Sequence, residues 1–388
     1  MTSSSPSSVL KLLAAAALAA AVAGCAKNDG SADFAAGKAA FESRDLKRAV
    51  QSFAAGLARS PDNVDALVLQ AQALLALGEL PGAAAAIDRA AALAGTDRDV
   101  VEVGAQVAFY RKDYARAAEL FAQLAAAAEP EVRSRGLTGL AIVDIIQLGA
   151  SGAELETVRA RARTRLLAAI RLDGRNAAAR YHLGQLYRDA FGYNEAAVDQ
   201  FELFVRLAKG VDDKVKRVQR TTIPDLKEAI ARAAAQRPGA DKRDVAESAA
   251  ALKKAEAAWA KQTFKTAKLR YNDAYVADVL SYPAALGLAK AWEKTDATKP
   301  GQLEALKYYK VACALRPGAK DVHLHTGELA LKLGQTAVAV ETFSRAVAAS
   351  PGDITAIDLL IRALQKAGRG KTAAVYQKYR ETIPVRKR

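Results

Sequence analysis

Cysteine, histidine and methionine are scarce in this 388-residue chain, which holds two, three and one of them. So few thiols exclude a disulfide framework and a thiolate metal site. The histidines are His182, His323 and His325. The last two stand two residues apart, which on a helix turns them about 200° from each other, so they cannot share a metal. Aromatic residues make up only 6% of the chain, and β-branched runs are rare. Nothing therefore favours strands. Beyond residue 23 no apolar run reaches the roughly 20 residues that a spanning helix needs. A Gly-rich dinucleotide fingerprint, a nucleophile elbow and paired carboxylates are also missing. Gly370-Lys371-Thr372 matches the end of a phosphate-binding loop. Gln365 stands where that loop needs its earlier glycine, and the flanks are helical, so the segment reads as a turn between helices. These absences argue against an enzyme and against a bound cofactor or metal.

What is present is alanine, in a chain that is 51% apolar and 26% charged. That balance belongs to a globular protein, and alanine in this quantity predicts an all-α fold. The formal net charge is +15. Such a bias attracts polyanions.

The N-terminus has the three parts of an export leader: a polar start with Lys11, an alanine-rich apolar run over residues 9–23, and small residues at its end. Val22, Ala23, Gly24 and Cys25 resemble the lipobox of bacterial lipoproteins. That resemblance implies removal of residues 1–24 and covalent lipid on Cys25. Removal takes away Lys11 alone and leaves +14 on the mature chain. Two or more acyl chains anchor firmly where one holds weakly. Ala26, not Asp, follows the cysteine. In the lipoprotein family this favours the outer membrane over the inner one.

Self-similarity near 34 residues organises the rest. In the clearest unit, 320–353, Gly327 lies in the first helix and Gly334 at the turn. Ala339, Phe343 and Ala346 mark the second helix, and Pro351 ends it. The same offsets give Gly37, Ala49, Phe53 and Gly56 in another unit, and Ala71, Gly78, Ala83 and Ile87 in a third. Gly184, Ala197 and Phe201 fit with one residue inserted. A degenerate unit places its first helix at 137–148 and its second around Ala162, Leu166 and Ala169, with a widened turn at 149–152. These offsets resemble the tetratricopeptide repeat (TPR). The resemblance implies an α-solenoid of about nine helix-turn-helix units. A lapse after residue 209, with Pro224 and Pro238-Gly239, suggests two arcs joined by a helical hinge. The expected layout is a leader at 1–24, a lipidated tether at 25–33, arrays at 34–208 and 249–384, a basic insert at 209–248 and a basic tail at 385–388.

In TPR proteins the first helices line a concave groove. Mapping its usual positions selects Phe34, Lys38, Phe41, Glu102, Gln106, Phe109, Tyr110, Tyr181, Gln185 and Arg188. Exposed aromatic and arginine side chains are good anchors for a peptide or helix. The Lys, Asn and Arg clamp of chaperone-binding TPRs is not in those positions. Cations gather at Arg161 and Arg165, which share a helix face, and at Lys214, Lys216, Arg217 and Arg220. The resemblance implies a lipid-anchored scaffold that binds a protein partner in an envelope machine, such as pilus or secretin assembly, gliding motility, outer-membrane assembly or polysaccharide export. The alternative is a binder of lipopolysaccharide, anionic lipid or cell wall that uses the basic regions. Nucleic acid does not suit that compartment.

Overall fold

The computed structural model describes residues 29–147, 154–208 and 213–384. Cys25 with its lipobox, the turn at 149–152 and the basic tail lie outside them. Every regular element among the described residues is a helix. The chain forms two compact units, Met1–Leu124 and Ala125–Arg388.

The first unit holds three helical hairpins: α1 (Ser31–Glu42) with α2 (Leu46–Arg59), α3 (Val64–Leu77) with α4 (Leu80–Ala94), and α5 (Arg98–Tyr110) with α6 (Tyr114–Ala125). Side chains that accept from the first free amides start several of these helices. Asp45 accepts from Arg48, Asn63 from Ala66 and Asp97 from Val100. Apolar faces then meet, burying Phe53, Leu67, Ile87 and Val103. Glycine lets the paired helices approach. A Cβ on Gly37 would lie 2.7 Å from the Phe53 ring, so the aromatic occupies the space the missing side chain leaves.

The second unit continues with α7 (Pro130–Gln147), α8 (Leu155–Leu172), α9 (Ala177–Leu186) and α10 (Asn194–Leu207). Helix α7 begins seven residues before the expected 137. Its first residue is Pro130, whose fixed φ and missing N–H suit a helix start. The residue inserted in the next repeat has a visible consequence: a π-helical turn, Tyr187–Phe191, extends α9. One extra residue in an α-helix is absorbed in this way.

The segment expected as a hinge lies inside the second unit. It contains the short α11 (Asp213–Arg217) and α12 (Ile223–Ala235), and α12 packs on α10. Four hairpins follow: α13 (Val245–Ala260) with α14 (Phe264–Ala277), α15 (Tyr282–Thr295) with α16 (Lys299–Leu315), α17 (Lys320–Lys332) with α18 (Thr336–Ala349), and α19 (Ile354–Lys366) with α20 (Gly370–Glu381). The glycine–aromatic pairing recurs, Gly184 against Phe201 and Gly327 against Phe343. No described helix is long and apolar enough to cross a membrane.

Sequence periodicity implies an open array. The second unit instead closes on itself, because α20 packs against α8. The seam is polar. Thr157 and Thr372 stand 3.1 Å apart through their hydroxyls. Arg369 reaches Glu156 and Lys371 reaches Glu154, each at 2.8 Å. Arg171 donates to the Thr382 hydroxyl at 2.7 Å. At its centre lies Arg163, fully buried. Its guanidinium donates to the Ser344 hydroxyl and carbonyl, each at 2.8 Å, and to the Tyr376 hydroxyl at 3.2 Å. The rings of Tyr187 and Phe191 lie 5.5 and 5.3 Å from it. Gly370-Lys371-Thr372 therefore begins a helix of the seam, with Thr372 buried.

Candidate functional site

In the first unit α1, α3 and the start of α5 line a crevice of about 490 Å³. Phe34 and Lys38 come from α1, Asp65, Leu69 and Gln72 from α3, and Asp99 from α5. Asn63, which caps α3, stands at its edge. The walls combine aromatic and aliphatic surface with two carboxylates and one ammonium. That chemistry suits a segment with an apolar anchor and a cation beside it. Phe34 is half-buried because its ring lies on Gly56, whereas Lys38 is exposed. One wall is thus held by packing, and of the charged groups Asp99 is paired with Arg98 at 2.9 Å.

The other groove candidates stand elsewhere. Phe41 is half-buried against the apolar core of this unit. Glu102 and Gln106 are half-buried and do not line the crevice. Phe109 meets Tyr110 and Tyr114 edge to face, with centroids 5.7 Å apart, while Tyr110 is 59% exposed. Asp65, Gln72 and Asp99 were not among the candidates. The template offsets that select Lys38 give Asp65 and Gln72 when counted from Val64, so the signal was present in the repeat.

In the second unit Tyr181 packs on Phe201 and Phe204 and carries the Lys214 ammonium 4.9 Å from its ring. Gln185 hydrogen-bonds His182. Burial, with Lys214 nearby, lowers the His182 imidazole to about 4. It is therefore neutral at pH 7. Arg188 grips Asp189 through two hydrogen bonds of 2.5 and 2.9 Å. These residues form a packed cluster and not an open wall.

The basic candidates divide. Arg161 and Arg165 both donate to Asp144, at 2.8 and 2.6 Å. That carboxylate is buried, and burial raises its pKa against the pull of both arginines. Both are engaged by this one carboxylate. Lys216 pairs with Asp213 at 3.5 Å, while Arg217 and Arg220 are exposed. His323 and His325 point to different partners, as their helical offset requires. His323 is buried with Nε2 2.9 Å from the Pro317 carbonyl, and His325 meets Glu293 at 2.8 Å.

Stacked helical hairpins with a lined crevice define the chain as a helical-repeat scaffold. The tetratricopeptide repeat family model matches residues 34–98 and 303–354, one stretch in each compact unit. No curated protein matches the chain in sequence. Among solved structures it is similar to PilF of Pseudomonas aeruginosa, at 17% identity over 53% of this chain and 91% of that one, with a TM-score of 0.40. It is similar to MamA at 19% identity, over 45% and 95%, with a TM-score of 0.30. The TPR domain of P58(IPK) shares 15% identity, over 88% and 99%, with a TM-score of 0.27. Likenesses this distant say nothing of what this chain binds.

Proposed function

We propose that the chain is a non-catalytic scaffold, tethered by lipid at Cys25 in a bacterial envelope, that captures a segment of a protein partner in the crevice of its first unit. The crevice carries this reading. It joins an aromatic wall, Phe34, to Leu69 and to the charges of Lys38, Asp65 and Asp99 along one face. A peptide or amphipathic helix with aliphatic anchors and a basic residue complements it. The lipobox and leader support the tether, which would hold the crevice near a membrane. The partner belongs to an envelope assembly in this reading.

A photo-crosslinking residue at Lys38, introduced in intact cells, tests the capture. One dominant protein adduct is expected. Phe34→Ala with Leu69→Ala should reduce it by about thirtyfold, as removal of a binding hot spot worth about 2 kcal/mol does. An adduct indifferent to both substitutions would remove the crevice as the site. Acyl mass on Cys25 in the same material tests the tether separately.

A further inference from the structure

The two kinds of cation are segregated along the chain. Residues 29–208 hold three lysines and eighteen arginines, whereas residues 245–315 hold ten lysines and one arginine. Several arginines are built into the fold, as Arg161, Arg163 and Arg165 show. Among the lysines, Lys268 and Lys294 lie over the Trp292 and Phe264 rings and Lys307 pairs with Glu304, but others are free of such partners. Lys253, Lys254, Lys261 and Lys265 are exposed. None has a carboxylate within ion-pair distance among the described residues. The one arginine of the stretch, Arg270, is neutralised by Asp273 at 3.1 Å.

Exposed apolar side chains concentrate in the same place. Seven large ones are exposed among the described residues, and four of these, Val245, Leu269, Val276 and Leu303, fall between 245 and 315. Leu269 is 64% exposed and Val276 67%. Helix α14 buries Ala267, Tyr271 and Ala274. Lys265, Leu269, Asn272 and Val276 follow one another at spacings of four, three and four, which places them in one stripe on the opposite side. The Asp244 amide donates to the Ala277 carbonyl at 2.7 Å, which sets Val245 beside the end of that stripe. The crevice described above is not lined by this face.

We propose that the outer face of the α13–α14 hairpin seats on an anionic phospholipid surface. Leu269, Val276 and Val245 enter the headgroup layer, and the lysines meet its phosphates. Lysine suits this task. Its long stem covers apolar surface while its strongly hydrated ammonium stays in water. Lysines near an anionic leaflet are drawn to it, and a few buried aliphatic groups add to that attraction. A second copy fits less well, because it would bring two lysine-bearing faces of like charge together. Single-stranded nucleic acid fits less well, because it is held by exposed aromatic rings, and here the exposed groups are aliphatic. This contact is separate from the crevice of the first unit and from the acyl anchor.

The full chain carrying Cys25→Ser removes the anchor and is mixed with two kinds of vesicle. One is phosphatidylcholine alone, and the other holds about one third phosphatidylglycerol, a surface anionic enough to attract lysines. Cosedimentation should favour the anionic vesicles by about tenfold or more, and the preference should vanish near 0.5 M salt, where screening is short-ranged. Lys261→Glu with Lys265→Glu should abolish the preference, and so should Leu269→Ser with Val276→Ser. All four positions are exposed, so circular dichroism should show unchanged helicity. The Lys38 crosslink should also persist in both variants, which separates failure here from failure of the capture reading. Equal binding to both vesicles, or variants that bind like the parent, would overturn the proposal. So would self-association, or binding to an oligonucleotide in place of vesicles, lost with the same substitutions.

Discussion

Replacement of Arg163 by alanine should destabilise the second unit by about 3 kcal/mol or more. The side chain is fully buried where α8 meets α18 and α20. Truncation leaves a void, which costs roughly 24 cal/mol per Å³ where the walls do not collapse. It also strips the buried Ser344 and Tyr376 hydroxyls of their guanidinium donor, at about 1–3 kcal/mol for a buried group without a partner. Arg163→Met is the instructive comparison. Methionine restores much of the volume and removes a buried charge that has no carboxylate partner and an Nε that has no acceptor. Buried charges can often be exchanged for apolar groups at little net loss. The methionine variant should therefore lose about 1–2 kcal/mol, mainly from the stranded acceptors. Urea titration read at constant slope would check the order wild type, then methionine, then alanine. An alanine variant as stable as the parent would mean that the seam is not held through this residue.

The second large effect concerns Phe343 and Gly327. The ring is fully buried, and a Cβ built on Gly327 would stand 2.5 Å from it. Phe343→Ala should cost about 3–5 kcal/mol. Gly327→Leu alone should also destabilise, by about 1–3 kcal/mol, because it drives a side chain into occupied space. Combined, the leucine has the ring's space to fill. The double variant should be more stable than the sum of the two losses implies, with a coupling of about 1 kcal/mol or more. Additive losses would show that the two positions do not share one volume.

This pair also shows why part of the fold was legible in the sequence. Glycine in a first helix and an aromatic sixteen positions later, as at Gly37 and Phe53 or Gly327 and Phe343, report a contact inside one hairpin. Local offsets encode such contacts, so counting residues finds them. The inserted residue near Tyr187 was legible as an irregularity, though only the backbone shows it to be a π turn. Phe34 and Lys38 were found by the same counting, and Asp65 and Gln72 obey it too. The seam was not legible. Arg163 meets Ser344, and Thr157 meets Thr372, across about two hundred residues of chain. No repeat period carries that information. It depends on how small rotations between successive hairpins accumulate, and these are set by packing. Alternation of Arg159, Arg161, Arg163 and Arg165 looks like a dispersed basic face. Burial divides it into a seam residue, Arg163, and a pair that neutralises Asp144.

Closure of the second unit is best tested by a covalent bridge. Thr157→Cys and Thr372→Cys in a Cys25→Ser background replace two hydroxyls that lie 3.1 Å apart, and Cys313 is buried and should not compete. The account predicts that mild oxidation joins the two new thiols within one chain, shifting its mobility on a non-reducing gel while helicity is kept. Two free thiols in the oxidised, folded protein would contradict it, because an open row of hairpins holds these positions far apart.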